Sequence, residues 1–291
     1  MSTSPVVIAE DIGFGHTKYS VGRNARNRIL VERFPSLAAK VQNHSDPAHF
    51  SVLSKHDTHR VPVGQDWFEV GKDIRQILPP NFVGDHLSED YALSPQYAAL
   101  VYGALNYAAT SVHATHVDCL VLGQPMNTIE KMGPLLERKF QGQHFIANGR
   151  QITIDQCKVF PQPLGSYMSY LSAADHKSKM PCALVIDPGY GTVDWFVCEG
   201  MKAVLHKSDA VPLGVSAILS KVAKTIIKDK YPEMPEHVLV RAIDESLVSE
   251  QPLMLYGASS TTPLLWATAF KWRMMPPKRS ATPSALATKS T

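Results

Sequence analysis

Val185-Ile186-Asp187-Pro188-Gly189-Tyr190-Gly191-Thr192-Val193-Asp194-Trp195-Phe196 is the stretch that decides the fold. An apolar run from Ala183 to Ile186 meets an acid, then Pro-Gly-x-Gly and a Thr, then the alternating Val193, Trp195 and Val197. That order spells a strand, a tight turn and a returning strand. The two glycines let the turn backbone come close to a ligand. The pattern recurs near the N-terminus in Val6-Val7-Ile8-Ala9-Glu10-Asp11-Ile12-Gly13-Phe14-Gly15-His16-Thr17-Lys18-Tyr19-Ser20-Val21. Each copy opens a three-strand meander, continued by Ile29 to Phe34 in the first and Ala203 to His206 in the second. One Gly-x-Gly turn is ordinary hairpin chemistry, whereas two Asp-x-Gly-x-Gly copies, each heading a meander, form a repeated device.

Glycine-rich turns between strands present several backbone N–H groups in a concave array, which suits anions and phosphate above all. An acid at the strand end would repel phosphate directly, but it can hold Mg²⁺, usually through water, and the ion then bridges the phosphates. Lys18, on the first returning strand, can supply a point charge to the same anion. The G-x-x-x-x-G-K-[ST] spacing of a P-loop is absent. A Rossmann turn is excluded too, because a strand and not a helix follows the glycines. Gln162 lies between the two copies, where a strand ends at Pro161 and a helix begins. Its amide either orients a water toward a γ-phosphate or caps the helix. Asp194 is either a ligand or a polar residue facing the loop.

Between these landmarks the chain alternates strands and helices. Val61-Pro62-Val63-Gly64 and Trp67-Phe68-Glu69-Val70-Gly71 read as a hairpin, and Lys72 to Leu78 as a short helix, together a small insertion. His44, His49, His56 and His59 in this region show no metal-ligand spacing and read as loop histidines. Ser94-Pro95 opens a helix with a good cap and a tolerated first-turn proline. Asp118 to Leu122 is a buried strand, Asn127 to Phe140 a helix, and His144 to Ile154 a hairpin about Asn148-Gly149, followed by a separate strand from Cys157 to Phe160. Helices follow from Leu164 to Ala174, after Gly214, and from Pro235. Residues 251–291 hold five Pro and no Asp or Glu, and the run from Met275 to Thr291 reads as disordered.

The 291 residues, 44% apolar and 19% charged, describe a globular chain of two modest domains. A net charge of +3 does not favour nucleic-acid binding, which needs a clustered basic face. The four cysteines have no CxxC spacing and read as free thiols of a reducing compartment. No apolar run approaches the ~18 residues of a membrane span, and Met1 to Pro5 lacks the plan of a signal peptide. The expected location is the cytoplasm, without membrane contact.

Together these residues resemble the actin-like ATPase superfamily. Asp11 to Lys18 is similar to its first phosphate motif, Asp187 to Asp194 to its second, and Pro161-Gln162-Pro163-Leu164-Gly165 to its connecting motif. Leu120 to Pro125 and Trp67 to Gly71 are more similar to the ParM/StbA plasmid-segregation group, including its PRTRC-type branch. The resemblance covers roughly residues 5 to 256. It implies an α/β actin-like fold of two RNase H-like domains, each a mixed five-stranded sheet flanked by helices, closing on ATP and Mg²⁺. Domain I would span 1–160, with an inserted subdomain over about 38–90. Domain II would span 161–256 and be incomplete, and 257–291 would be a non-family tail, because no adenosine motif follows Gly257. The implied roles are Mg²⁺ ligation for Asp11 and Asp187 and water positioning for Gln162. Gly13, Phe14, Gly15, His16, Thr17, Lys18, Gly189, Tyr190, Gly191, Thr192 and Asp194 would surround the phosphates. ATP binding would drive self-association into filaments and ATP hydrolysis would permit their disassembly, with plasmid DNA engaged only through an adaptor protein. The alternatives are a sugar-kinase relative using the same two turns and a non-catalytic actin-like protein.

Overall fold

The computed structural model describes residues 5–41, 56–79, 82, 90–173, 182–200, 202–230, 232–255 and 258–259. The expected loop histidines His44 and His49 and the expected disordered run Met275 to Thr291 lie outside them.

The N-terminal meander forms as expected from β1 (Val7–Ile12), β2 (His16–Arg23) and β3 (Ile29–Pro35). Strand β1 alternates, burying Ile8, Glu10 and Ile12 on one face. The insertion is a three-stranded sheet in which β6 (Asp66–Gly71) lies between β4 (Ala39–Val41) and β5 (Thr58–Val63). Helix α1 is shorter than expected, Ile74–Ile77. Helix α2 (Pro95–Ser111) starts where its cap predicts, with Ser94 Oγ accepting the Tyr97 N–H at 3.1 Å. Leu100, Val101, Ala104, Leu105 and Ala108 are fully buried along it, each larger side chain contributing about 1.5–3 kcal/mol relative to exposure.

Strand β7 (His116–Gln124) returns parallel to β1. Helix α3 (Ile129–Phe140), strand β8 (Gly142–Phe145) and strand β9 (Gln151–Pro161) follow. The sheet order is β3-β2-β1-β7-β9-β8. It therefore has six strands where five were expected. The hairpin 142–154 and the strand at Cys157 are one unit: β9 pairs with β8 over Gln151 to Ile154 and with β7 from Thr153 to Pro161. Because partners on its two sides overlap at Thr153 and Ile154, the strand runs through without a break.

Helix α4 (Gln162–Ala173) leads to the second meander, β10 (Cys182–Pro188) and β11 (Val193–Glu199). Its third strand is not Ala203 to His206. A 3₁₀ turn at Leu205–Lys207 splits it into β12 (Lys202–Ala203) and β13 (Asp209–Val211), both paired with β11. Ser208 holds the split, its Oγ donating to Val204 O and accepting from Val197 N. Among the described residues this sheet has four strands, again not five. Helices α5 (Val215–Lys230) and α6 (Glu236–Ser249) come next.

By contacts the chain divides into residues 1–241 and 242–291. The six-, four- and three-stranded sheets lie in the first unit. The described part of the second holds the end of α6 and a short pair of strands, β14 (Met254–Leu255) and β15 (Ala258–Ser259). All four cysteines are free thiols, Cys157 and Cys198 buried and Cys182 exposed.

Candidate functional site

The two Asp-x-Gly-x-Gly turns are geometric twins. Asp11 pairs with Lys18 across the first hairpin, and Asp187 with Asp194 across the second, each acid facing the residue seven positions on. The first glycine of each turn is crowded in the same way. A Cβ on Gly13 would stand 3.0 Å from His16 O, and one on Gly189 would stand 3.0 Å from Thr192 O.

The first turn lies at the carboxyl end of β1, beside the carboxyl ends of the parallel strands β7 and β9, where sheets of this kind hold their ligands. Lys18 Nζ is 2.9 Å from Asp11 Oδ2. Gln162, the first residue of α4, donates its amide to Asp11 Oδ1 at 2.7 Å. Gly123 makes room for that bond, since a Cβ there would stand 3.1 Å from Gln162 Cγ. The side-chain hydrogen bond of Gln162 therefore runs to the acid of the first turn. Two further residues of this turn look inward. Thr17 is fully buried, its hydroxyl 2.9 Å from that of Ser36. His16 is half-buried, and burial together with the charges of Arg33, Arg75 and Lys18 lowers its pKa to about 4, so it is neutral near pH 7.

The second turn is braced from behind. Gly214 N, Val215 N and Ser216 N, at the start of α5, donate to Gly191 O, Gly189 O and Tyr190 O at 3.2, 3.1 and 2.8 Å. A Cβ on Gly214 would come within 2.5–2.7 Å of this backbone, so only glycine permits the approach. Asp194 is 2% exposed, and its oxygens accept from Met126 N at 2.9 Å and Thr192 Oγ1 at 2.6 Å. It thus ties the loop after β7 to the second hairpin, and both oxygens are engaged within the protein. Burial raises its pKa, and the negative charges of Asp187 and Asp11 add to the rise. Asp194 thus feels the charge of the acid at the head of each turn, a repulsion that a divalent cation would relieve. The donor set fits Mg²⁺, with Asp11 and Asp187 as the acids that could hold it.

The turns themselves touch. A Cβ on Gly191 would lie 2.5 Å from the Phe14 ring, and one on Gly15 would lie 3.8 Å from the Tyr190 ring. Phe14 also stacks on Tyr91, with centroids 6.5 Å apart. Of the residues expected at the site, the structure groups Asp11, Lys18 and Gln162 directly. It brings Phe14, Gly15, Tyr190 and Gly191 together across the gap between turns, and turns Thr17 and Asp194 into the protein. Sequence reading passed over Met126, Gly123 as a spacer, and Glu10, a fully buried carboxylate beside Asp11 whose oxygens have no hydrogen-bond partner. Burial raises the pKa of Glu10 well above the carboxylate range. An acid in an otherwise apolar strand was the available signal for Glu10; nothing local marks Met126.

The fold and the paired turns define the actin-like class. A family model described as the N-terminal domain of actin-like proteins matches residues 9–165. The chain belongs to the actin-like protein family. Among solved structures it is similar to Ta0583, an archaeal actin homolog, at 20% identity over 91% of this chain and 78% of that one, with a TM-score of 0.63. It is similar to ParM from a 15-stranded filament of Clostridium botulinum, at 17% identity over 93% and 80%, with a TM-score of 0.62. It is also similar to AlfA from the B. subtilis plasmid pLS32, in a filament structure, at 19% identity over 79% and 80%, with a TM-score of 0.53. Ta0583 has also been solved in complex with ADP, and the AlfA filament bound to AMPPNP. At these identities the likeness establishes the fold. No curated protein sequence matches. Among the described residues, no helix is long and apolar enough to cross a membrane.

Proposed function

We propose that this chain is an actin-like ATPase of the ParM/StbA plasmid-segregation type, binding ATP with Mg²⁺ and assembling into filaments. The carrying observation is the Gln162–Asp11 hydrogen bond, which joins the connecting motif to the first turn at the ends of three parallel strands. In this reading residues 1–160, with 38–90 inserted, form one half of the clamp and residues 161–256 belong to the other, with 257–291 outside both. Plasmid DNA is reached through an adaptor, and the site works in the cytoplasm.

The glycine turns and Lys18 hold the phosphates, one turn from each side. Asp11 and Asp187 hold Mg²⁺, which when bound offsets phosphate charge. Gln162 spends its amide N–H on Asp11, leaving its carbonyl oxygen to accept from a water and aim that water's lone pair at the γ-phosphorus. The N-terminus of α5 behind the second turn adds a favourable partial positive charge for an anion. Filaments of AlfA and ParM on the same fold support the assembly step.

The contact of Phe14 with Gly191 favours a second reading, a non-catalytic actin-like protein whose turns stay shut. Phosphate release and light scattering, followed together after adding Mg·ATP, separate the two. Release with a rise in scattering supports the filament-forming ATPase; neither signal supports the shut form.

A further inference from the structure

At the opposite ends of the same strands lies a second cluster of ligating side chains. His116 and Asp118 stand two residues apart on β7, and Asp155 stands beside them on β9. The parallel register places Val117 beside Ile154 and Cys119 beside Gln156, so Asp118 and Asp155 are direct neighbours on one face of the sheet. One ligand atom from each of the three lies within 4.8 Å of the other two. His116 Nε2 and Asp155 Oδ2 are 2.9 Å apart, close to the spacing of neighbouring ligands around one ion at ~2.1 Å. Asp118 is fixed from outside the cluster, its Oδ2 accepting the Val6 N–H at 2.7 Å. A ligand carboxylate oriented by a backbone donor is the usual outer support of a metal centre. The three groups also sit on hydrogen-bonded strands, so the spacing belongs to the sheet and not to a loop.

We propose that His116, Asp118 and Asp155 form a binding site for a divalent transition ion of the zinc class. An imidazole donor disfavours Mg²⁺ and Ca²⁺, which take oxygen ligands, and suits Zn²⁺ or Co²⁺. No thiol joins the set: Cys119 alternates to the other face, and Cys157, on the same face as Asp155, is buried and not among the ligand atoms grouped within 4.8 Å. On binding, the Nε2 lone pair of His116 goes to the ion, its one ring proton sits on Nδ1, and the ion takes the place of the His116–Asp155 hydrogen bond. Three protein ligands leave at least one position to water. Asp118 and Gly123 are five residue steps apart along β7, about 17 Å, so the centre is distinct from the nucleotide-binding turns. Its effect is to clamp β7 to β9 where the six-stranded sheet is solvent-exposed.

Co²⁺ titration of untagged protein, read by visible absorption, tests the site, with Zn²⁺ competing for it. One Co²⁺ per chain is expected, displaced by Zn²⁺. Affinity should fall at least about tenfold in His116→Ala and in Asp118→Asn, the latter keeping an acceptor for the Val6 N–H. Both side chains are at the surface or half-buried, and circular dichroism checks that the variants fold. An Asp11→Asn variant should bind Co²⁺ at this site as the parent does. Absence of a 1:1 cobalt complex, or binding unchanged in both cluster variants, overturns the proposal.

Discussion

Phe14 and Gly191 carry the sharpest consequence at the scale of single residues. The glycine has no side chain because the ring of Phe14 occupies that volume. Gly191→Ala should therefore cost about 1–3 kcal/mol by overpacking, and much less in a Phe14→Ala background. Urea denaturation of the four members of that cycle measures the difference, and equal costs in both backgrounds would show that the turns do not touch. His16 gives a prediction in pH. Its folded pKa of about 4 lies below the ordinary value of 6.5, so between those values the unfolded chain binds the proton more tightly. The stability due to neutral His16 is complete above about pH 6.5 and is lost as pH falls toward 4. His59 and His144, lowered by burial, act in the same sense. His16→Gln should lose less stability than the parent between pH 7 and pH 5 in thermal melts; an identical loss would mean that His16 is not desolvated.

At the scale of elements, glycines set how closely the layers approach. A Cβ on Gly103 in α2 would stand 2.5 Å from Val70 Cγ2 in β6. The inserted sheet therefore rests on α2 through a contact that no larger residue allows. Gly103→Leu should lower stability by about 1–3 kcal/mol although Leu is the better helix former; a stabilised variant in urea melts would contradict this packing. The twin hairpins were legible in the sequence because strand, acid and glycines all lie within a dozen residues. The cap of α2 was legible for the same reason, since Ser94 reaches only three residues ahead. The continuity of β9 was not, because it depends on β7 and β8 taking over from each other along it. The split third strand of the second meander was hidden as well, since Ser208 acts through β11.

At the scale of the whole molecule, the candidate site draws on four places in the chain, near residues 11, 123, 162 and 190. Residue types and order revealed three of them through the resemblance to actin-like proteins. What stayed hidden was the direction of each side chain: Thr17 and Asp194 carry the motif but point into the protein, while Gly123 shows its role only once β7 and β9 lie side by side. The central claim is that the two turns, far apart in sequence, form one phosphate clamp. Calorimetric titration of Mg·ATP into the parent, Asp11→Ala and Asp187→Ala tests it most directly. The expected result is binding by the parent and a loss of at least tenfold, about 1.4 kcal/mol, in each variant. No ATP binding by the parent, or affinity unchanged by either substitution, would contradict it.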